Sequence, residues 1–277
     1  KGSITVRDVL AHRSGVPNFD EPTTLELLND RPRIVRWLCN AKPRVRPGRL
    51  AYHALTGGYI LAEVLERTSG LGIQELLARD IAEPLGLSHF RFGAERDDVP
   101  RIAENVFTGL ELPLPLSLLF RRSLGISAED ATRLSNDPRF SDAVIPAGNL
   151  VTSAEEACRF MEALRCGGRF QDVQLLDEAL LDEALAEHSH FELDNTLVLP
   201  VRYGLGFMLG DTLISPYGRH TKEVFGHLGF MQVMLWADRA RGLSGALLTS
   251  GKTILSPGLV HFATVMQTIA SRVPRLR

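Results

Sequence analysis

The sequence predicts an α+β fold in which an antiparallel sheet is flanked by helices and stands beside a mostly helical subdomain. Three observations carry that prediction. Apolar residues recur at helical spacing in several stretches of the first two thirds of the chain. Beyond about residue 200 the period changes to two apolar runs, Val224 to Ala237 and Leu243 to Leu248, joined by the turn-forming Asp238-Arg239-Ala240-Arg241-Gly242, which reads as an antiparallel hairpin. The chain then closes with Leu259, Phe262, Ala263, Met266, Ile269 and Val273 at helical spacing, an apolar stripe suited to cover one sheet face. With no internal repeat, this is the α+β arrangement. The length supports one large or two modest domains, with a mostly helical part over 1–196 and a strand-rich part over 197–277.

Taken in order, Thr5 followed by Asp8 caps a first helix with Val6, Val9 and Leu10 on one face, stopped by Ser14-Gly15-Val16-Pro17. Residues 31–49, rich in arginine and proline, read as a solvated helix end and loop. Leu61, Val64, Leu65 and Thr68 place a helix over Leu55 to Thr68, ended by Ser69-Gly70. Ile73 to Ile81 repeats the pattern through Leu76 and Leu77 until Pro84-Leu85-Gly86. From about 94 to 145 the chain is expected to be irregular, with Leu112-Pro113-Leu114-Pro115 non-helical because proline lacks a backbone donor. Thr152-Ser153-Ala154-Glu155-Glu156 offers a capping box for a helix bearing Ala157, Phe160, Met161 and Leu164, which Gly167-Gly168 terminates.

Composition narrows the function. With 277 residues, 44% of them hydrophobic, the chain is long enough to bury a sizeable core. Lys plus Arg is 31 against 33 for Asp plus Glu, and this balance argues against a dedicated nucleic-acid binder. Cys39, Cys158 and Cys166 form neither a CxxC pair nor a dense framework, so they read as reduced and structural, which leans toward a cytoplasmic compartment. No apolar run reaches the roughly 18 residues of a membrane span. The opening Lys1-Gly2-Ser3-Ile4 has no Met and leads directly into a helical pattern, so the chain reads as part of a longer one.

Four segments stand out together: Ile4 to Pro17 with its His12-Arg13-Ser14-Gly15; Pro47-Gly48 through Tyr52-His53-Ala54 to Glu83-Pro84-Leu85-Gly86-Leu87; Tyr203-Gly204-Leu205-Gly206-Phe207; and Phe225-Gly226-His227-Leu228-Gly229-Phe230. In this order they resemble the serine β-lactamase-like superfamily, which contains class C β-lactamases, D-alanyl-D-alanine carboxypeptidases and family VIII carboxylesterases. Ile145-Pro146 through Gly168 resembles that family's later helical segment, so the resemblance spans nearly the whole chain and implies that 1–277 is a single catalytic domain lacking its N-terminal segment.

The resemblance implies acyl transfer through an acyl-serine intermediate, with a small-molecule ester substrate, no metal and no cofactor. Such chemistry needs a Ser-x-x-Lys pair on one helical face, where the amine takes the hydroxyl proton. No serine here has a lysine three residues later; Ser250-Gly251-Lys252 has the wrong spacing. The resemblance therefore places the nucleophile upstream of Lys1. Tyr52 matches the family's tyrosine, expected as a base or proton shuttle with a phenol pKa lowered by the lysine ammonium. The asparagine of that motif is Ala54 here, the form common in the esterase branch. His227-Leu228-Gly229 occupies the Lys-Thr-Gly position on the cleft strand, where Gly229 lets substrate backbone approach and the Phe230 N–H is one oxyanion donor.

Other readings weigh less. His12 reads as packing and turn structure, and His53 as a supporting or structural residue. His188-Ser189-His190 with Glu187 and Glu192 lies on a polar segment without a distant metal partner. Ala246 to Thr253 fits a relaxed phosphate-loop pattern, but its first glycine is missing and Pro257-Gly258 would interrupt the helix such a loop must open. Two rivals remain open: a non-catalytic binding or scaffold relative, and a β-lactamase or D-alanyl-D-alanine carboxypeptidase.

Overall fold

In the computed structural model, which describes residues 2–254 and 256–276, local signals account for most of the helical part. Lys1, the reference point for an upstream nucleophile, and Arg277, the end of the expected domain, lie outside the described residues. Helix α1 (Val6–Leu10) carries the full capping box: Thr5 Oγ1 accepts from the Asp8 N–H, and Asp8 accepts from the Thr5 N–H at 2.8 Å. After α2 (Leu25–Asn29) and α3 (Arg31–Asn40), the helix expected over Leu55 to Thr68 is α4 (Thr56–Ser69), closed by Gly70 in the left-handed conformation. Helix α5 (Ile73–Leu77) does not stop before Pro84. It continues through a π turn (Ala78–Ala82) into α6 (Glu83–Leu85), because Pro84 sits in that first turn, and it ends at Gly86 with φ 63°.

The stretch expected to be irregular is corrected. Between the short strands β1 (Arg91–Phe92) and β2 (Val106–Phe107) on one side and β3 (Leu150–Val151) on the other, it forms α7 (Leu116–Leu124), α8 (Ala128–Ser135) and α9 (Pro138–Ser141). Ser127 accepts from the Asp130 N–H and Asp137 from the Arg139 N–H, so side-chain caps open α8 and α9 without a long apolar period. Leu112-Pro113-Leu114-Pro115 stays outside the helices. At α10 (Ala154–Arg165) only half of the expected box forms. Ser153 accepts from the Glu156 N–H, but the buried Glu156 carboxylate accepts instead from the N–H groups of Ser88 and His89, at 2.6 and 3.0 Å. A hairpin of β4 (Arg169–Phe170) and β5 (Val173–Gln174) leads to α11 (Glu178–Leu185).

Among the described residues the main sheet has six strands: β6 (Ser189–Leu193), β7 (Pro200–Tyr203), β8 (Met208–Leu209), β9 (Val224–Leu228), β10 (Met234–Asp238) and β11 (Leu243–Leu247). Each pairs antiparallel with the next. The first apolar run is thus not a single hairpin arm. Gly229–Val233 breaks it into β9 and β10, and only β10–β11 is the expected hairpin. A short strand, β12 (Gly251–Lys252), pairs parallel with β2, and α12 (Pro257–Arg272) begins at the proline with Ser256 as its cap. Lys252 therefore lies in a strand several residues before the next helix, unlike a phosphate-loop lysine.

The sheet is covered on both faces. Phe262 and Met266 of α12 pack with Tyr203, Met208, Val224, Met234 and Trp236. Met161 and Leu164 of α10 and Leu181 of α11 pack with Leu209, Phe225 and Ala237. A separate cluster of Phe19, Leu27, Leu28, Ile34, Tyr59 and Ile145 forms the core of the helical part.

Gly226 fixes how closely β9 meets β10. A Cβ there would lie 2.0 Å from the Leu235 carbonyl oxygen and 2.7 Å from Trp236 Cα, both backbone atoms that cannot swing aside. Gly226→Ala is expected to cost about 1–3 kcal/mol or more through overpacking. A urea midpoint equal to that of the parent chain would contradict this register.

Candidate active site

Two backbone segments from the helical part meet the sheet at one place. The Ala51 N–H donates to the His12 carbonyl at 2.9 Å, and Thr56 Oγ1 donates to the carbonyls of Val16 and Pro17 at 2.8 and 3.0 Å. These bonds tie the His12–Pro17 turn to the segment that opens α4. The same segment is held to the sheet side by Asp194, whose Oδ1 accepts from the N–H groups of Tyr52, Thr196 and Leu197 at 3.1, 2.7 and 2.9 Å.

This places Tyr52 against His227, their rings stacked at 5.8 Å between centroids and 27° between planes. Ala54 is buried two residues further on, at the entry to α4. Gly229 and Phe230 follow His227 immediately beyond the end of β9. The Gly229 N–H donates to the Val233 carbonyl at 2.8 Å, which closes the turn, and a Cβ on Gly229 would lie 3.0–3.1 Å from the Val233 side chain. The residues singled out in the sequence thus come from two distant segments that the fold brings side by side.

The lowering expected for the Tyr52 phenol depends on a lysine ammonium beside it, and no cation stands there among the described residues. Within this chain burial, reinforced by the Asp194 carboxylate, pushes the phenol up to about 12. His227 Nδ1 lies 2.6 Å from the Leu228 carbonyl, which can only accept, so the proton is assigned to Nδ1 and Nε2 is left as an acceptor. Burial lowers the His227 pKa, and the carbonyl contact opposes part of that shift.

The sequence reading missed a histidine chain behind Tyr52. The Val16 N–H donates to Ser14 Oγ at 3.3 Å, which leaves the hydroxyl proton for His53 Nε2 at 2.5 Å. His53 Nδ1 then carries its proton toward His12 Nδ1 at 3.3 Å, and the His12 proton is assigned to Nε2. His12 itself adopts φ 57° and stands edge-on to both Tyr52 and Tyr203, at 4.9 and 4.8 Å. Three buried polar atoms around this cluster have no hydrogen-bond partner among the described residues: His12 Nε2, Tyr203 Oη and Asp194 Oδ2. The only sequence signals for this chain were the His12-x-Ser14 and Tyr52-His53 motifs themselves; nothing local marks Asp194.

Burial keeps these histidines neutral. His53 is lowered to about 4, and His12 is held well below its ordinary value by burial, then by His53 and His227. Because the folded pKa of His53 lies below the unfolded value of 6.5, the unfolded chain binds more protons between pH 6.5 and 4, and stability falls as pH falls through that window. The contribution of His53 alone is about 3 kcal/mol at full protonation. The urea midpoint is therefore expected to drop between pH 7.5 and 4.5, and to drop less in His53→Gln. Equal slopes in the two proteins would remove His53 as the cause.

The His188–Glu192 segment is not arranged for a metal. Glu187 pairs with His190 and Arg202 at 2.5 and 2.8 Å, and Glu192 with Arg13 at 2.7 Å. Among the described residues no group of three or more His, Cys, Asp or Glu side chains is placed to hold a metal ion, and no helix is long and apolar enough to cross a membrane.

Comparison with known proteins adds the family. The Beta-lactamase family model matches residues 1–265. The chain is 27% identical over 268 residues to the esterase/beta-lactamase LipL of Mycobacterium tuberculosis, a match that covers 93% of this chain and 60% of that protein's length. Among solved structures it resembles a penicillin-binding protein homolog from Caulobacter crescentus, with a TM-score of 0.78 and 26% identity over 94% of this chain and 70% of that one. A family VIII carboxylesterase (TM-score 0.78, 22% identity, 96% of this chain and 72% of that one) shares the fold. EstA from Arthrobacter nitroguajacolicus Rue61a does too (TM-score 0.78, 24% identity, 98% and 74%).

Proposed function

Because the chain belongs to the Beta-lactamase family, we propose that it is the larger part of a serine hydrolase acting on small carboxylic esters, with the Ser-x-x-Lys pair supplied from upstream of Lys1. The observation that carries this reading is the stack of Tyr52 on His227 beside the Gly229-Phe230 turn. In the proposed reaction the serine oxygen attacks the ester carbonyl while its proton passes to the Lys–Tyr52 pair. The oxyanion is held by the Phe230 N–H and the serine's own N–H. As the C–O bond breaks, Tyr52 returns the proton to the departing alcohol, and water then resolves the acyl-serine with the same group as base. His227 lines the leaving-group or acid side, Gly229 admits the substrate, and Ala54 leaves room where relatives place an amide.

The unpartnered His12 Nε2, Tyr203 Oη and Asp194 Oδ2 support a site completed by further polar groups, since a buried unsatisfied group costs about 1–3 kcal/mol. The test compares the longer gene product with residues 1–277, using a nitrophenyl butyrate assay and a serine-directed phosphonate probe. One labelled serine per molecule is expected in the longer product and none in residues 1–277. Stoichiometric labelling with turnover in residues 1–277 would overturn the upstream nucleophile. An unlabelled, inactive longer product would overturn the hydrolase and favour a non-catalytic relative.

A further inference from the structure

Lys252 is a buried cation that the proposed chemistry does not use. It is 4% exposed, takes part in no ion pair among the described residues, and its ammonium donates to the Thr249 carbonyl at 2.5 Å. The same ammonium lies 3.5 Å from the Phe230 carbonyl and 5.8 Å from the Phe230 ring centroid. Its backbone is fixed by pairing of β12 with β2 and by the Thr108 N–H donating to the Lys252 carbonyl at 3.0 Å. An unpaired buried charge is expensive, and two carbonyl dipoles offset only part of the cost.

What it holds is a strained turn. Met231 and Gln232 are consecutive non-glycine residues at φ 41° and 64°, a conformation that persists only when its surroundings over-determine it. Thr249 Oγ1 donates to the Gln232 carbonyl at 3.0 Å, so the segment from Thr249 to Lys252 grips the turn at two successive points, Phe230 and Gln232. The turn begins with the peptide whose N–H, that of Phe230, is the proposed oxyanion donor.

We propose that Lys252 is a positioning residue of the oxyanion turn, its ammonium holding the Phe230 carbonyl and supplying a fixed positive charge behind the developing oxyanion. This rests on the proposed role of the Phe230 N–H. The groups facing the ammonium are the Phe230 and Thr249 carbonyls and the Phe230 ring. Among the described residues no charged side chain acts on it, and burial lowers its pKa from the ordinary lysine value.

The test uses the longer gene product and its Lys252→Met and Lys252→Gln variants, with nitrophenyl butyrate turnover followed from pH 6 to 11 and thermal melts run alongside. In Lys252→Met, kcat is expected to fall about tenfold to a hundredfold, short of the 10²–10³-fold typical of losing a donor outright, with KM within about twofold because the contact acts on the transition-state charge. Wild-type kcat should decline on the alkaline side as the ammonium loses its proton, and that limb should vanish in Lys252→Met. Lys252→Gln keeps a hydrogen-bond donor without the charge. A Lys252→Gln protein that melts normally yet loses both rate and alkaline limb supports the proposal even if Lys252→Met does not fold. Wild-type kcat in either variant, or a lower kcat with an unchanged pH profile, would overturn it. A wild-type protein labelled by the phosphonate while the Lys252 variants turn over normally sinks only this inference; an unlabelled wild type sinks the hydrolase reading and this inference with it.

Discussion

Tyr52→Phe is expected to lower the kcat of the longer gene product by about 10²–10⁴-fold, the range for loss of a general acid–base group. The substitution keeps the ring, and with it the stack on His227 at 5.8 Å and the edge contact with His12 at 4.9 Å. It also keeps the backbone N–H that Asp194 accepts, so thermal stability should change little. Only the oxygen proposed to move the proton is lost. That phenol is pushed up to about 12 within this chain, so its use near neutral pH demands a nearby cation to favour the phenolate. The same reasoning predicts that neutralising the lysine proposed to lie upstream moves the pH optimum upward, provided it leaves measurable activity. Steady-state kinetics decide the matter: unchanged turnover in Tyr52→Phe would leave Tyr52 as a packing residue.

The second large effect concerns substrate choice: an ester should be preferred to a β-lactam by about two orders of magnitude in kcat/KM. A lactam or peptidoglycan substrate carries a carboxylate near the reacting carbonyl, and its anchoring needs a cation. His227 is a poor one, because burial lowers its pKa below the ordinary 6.5 and leaves it neutral at pH 7. Ala54 is buried and offers neither donor nor acceptor to an amide. Each lost hydrogen bond to substrate costs about 0.5–1.5 kcal/mol, more when charged, and about 1.4 kcal/mol is tenfold. Specificity constants for nitrophenyl butyrate and a chromogenic cephalosporin measure the ratio directly. Ala54→Asn combined with His227→Lys should shift it toward the lactam. A cephalosporin turned over as fast as the ester by the parent protein would refute the preference.

Much of the fold was legible in the sequence because its signals are local. Thr5 and Asp8 are three residues apart, and their reciprocal capping needs nothing beyond the first turn. Gly70 ends α4 because only a residue without a side chain enters the left-handed region cheaply. Where a local signal competed with a distant one, the reading was incomplete. The Glu156 carboxylate left its capping role for N–H groups 67 and 68 residues away, on His89 and Ser88. The run from Val224 to Ala237 looked continuous because, of the residues of the Gly229–Val233 turn, the two with positive φ are Met231 and Gln232, which carry no turn signature.

The sequence by itself determined the family, the helices with strong caps or a clear apolar period (α1, α4, α10 and α12) and which residues to inspect, since periodicity, caps and motif spacing are properties of neighbours along the chain. The tertiary structure alone decided what surrounds those residues. Asp194 reaches Tyr52 across 142 positions, Ser14 and His53 meet across 39, and Lys252 meets Phe230 across 22. Those encounters set the protonation states, because a pKa depends on desolvation and on charges within a few ångströms, and both are decided by which distant segments pack together. The raised phenol of Tyr52, the neutral histidines behind it and the buried charge of Lys252 are therefore properties of the folded chain, with no counterpart in any short stretch of its sequence.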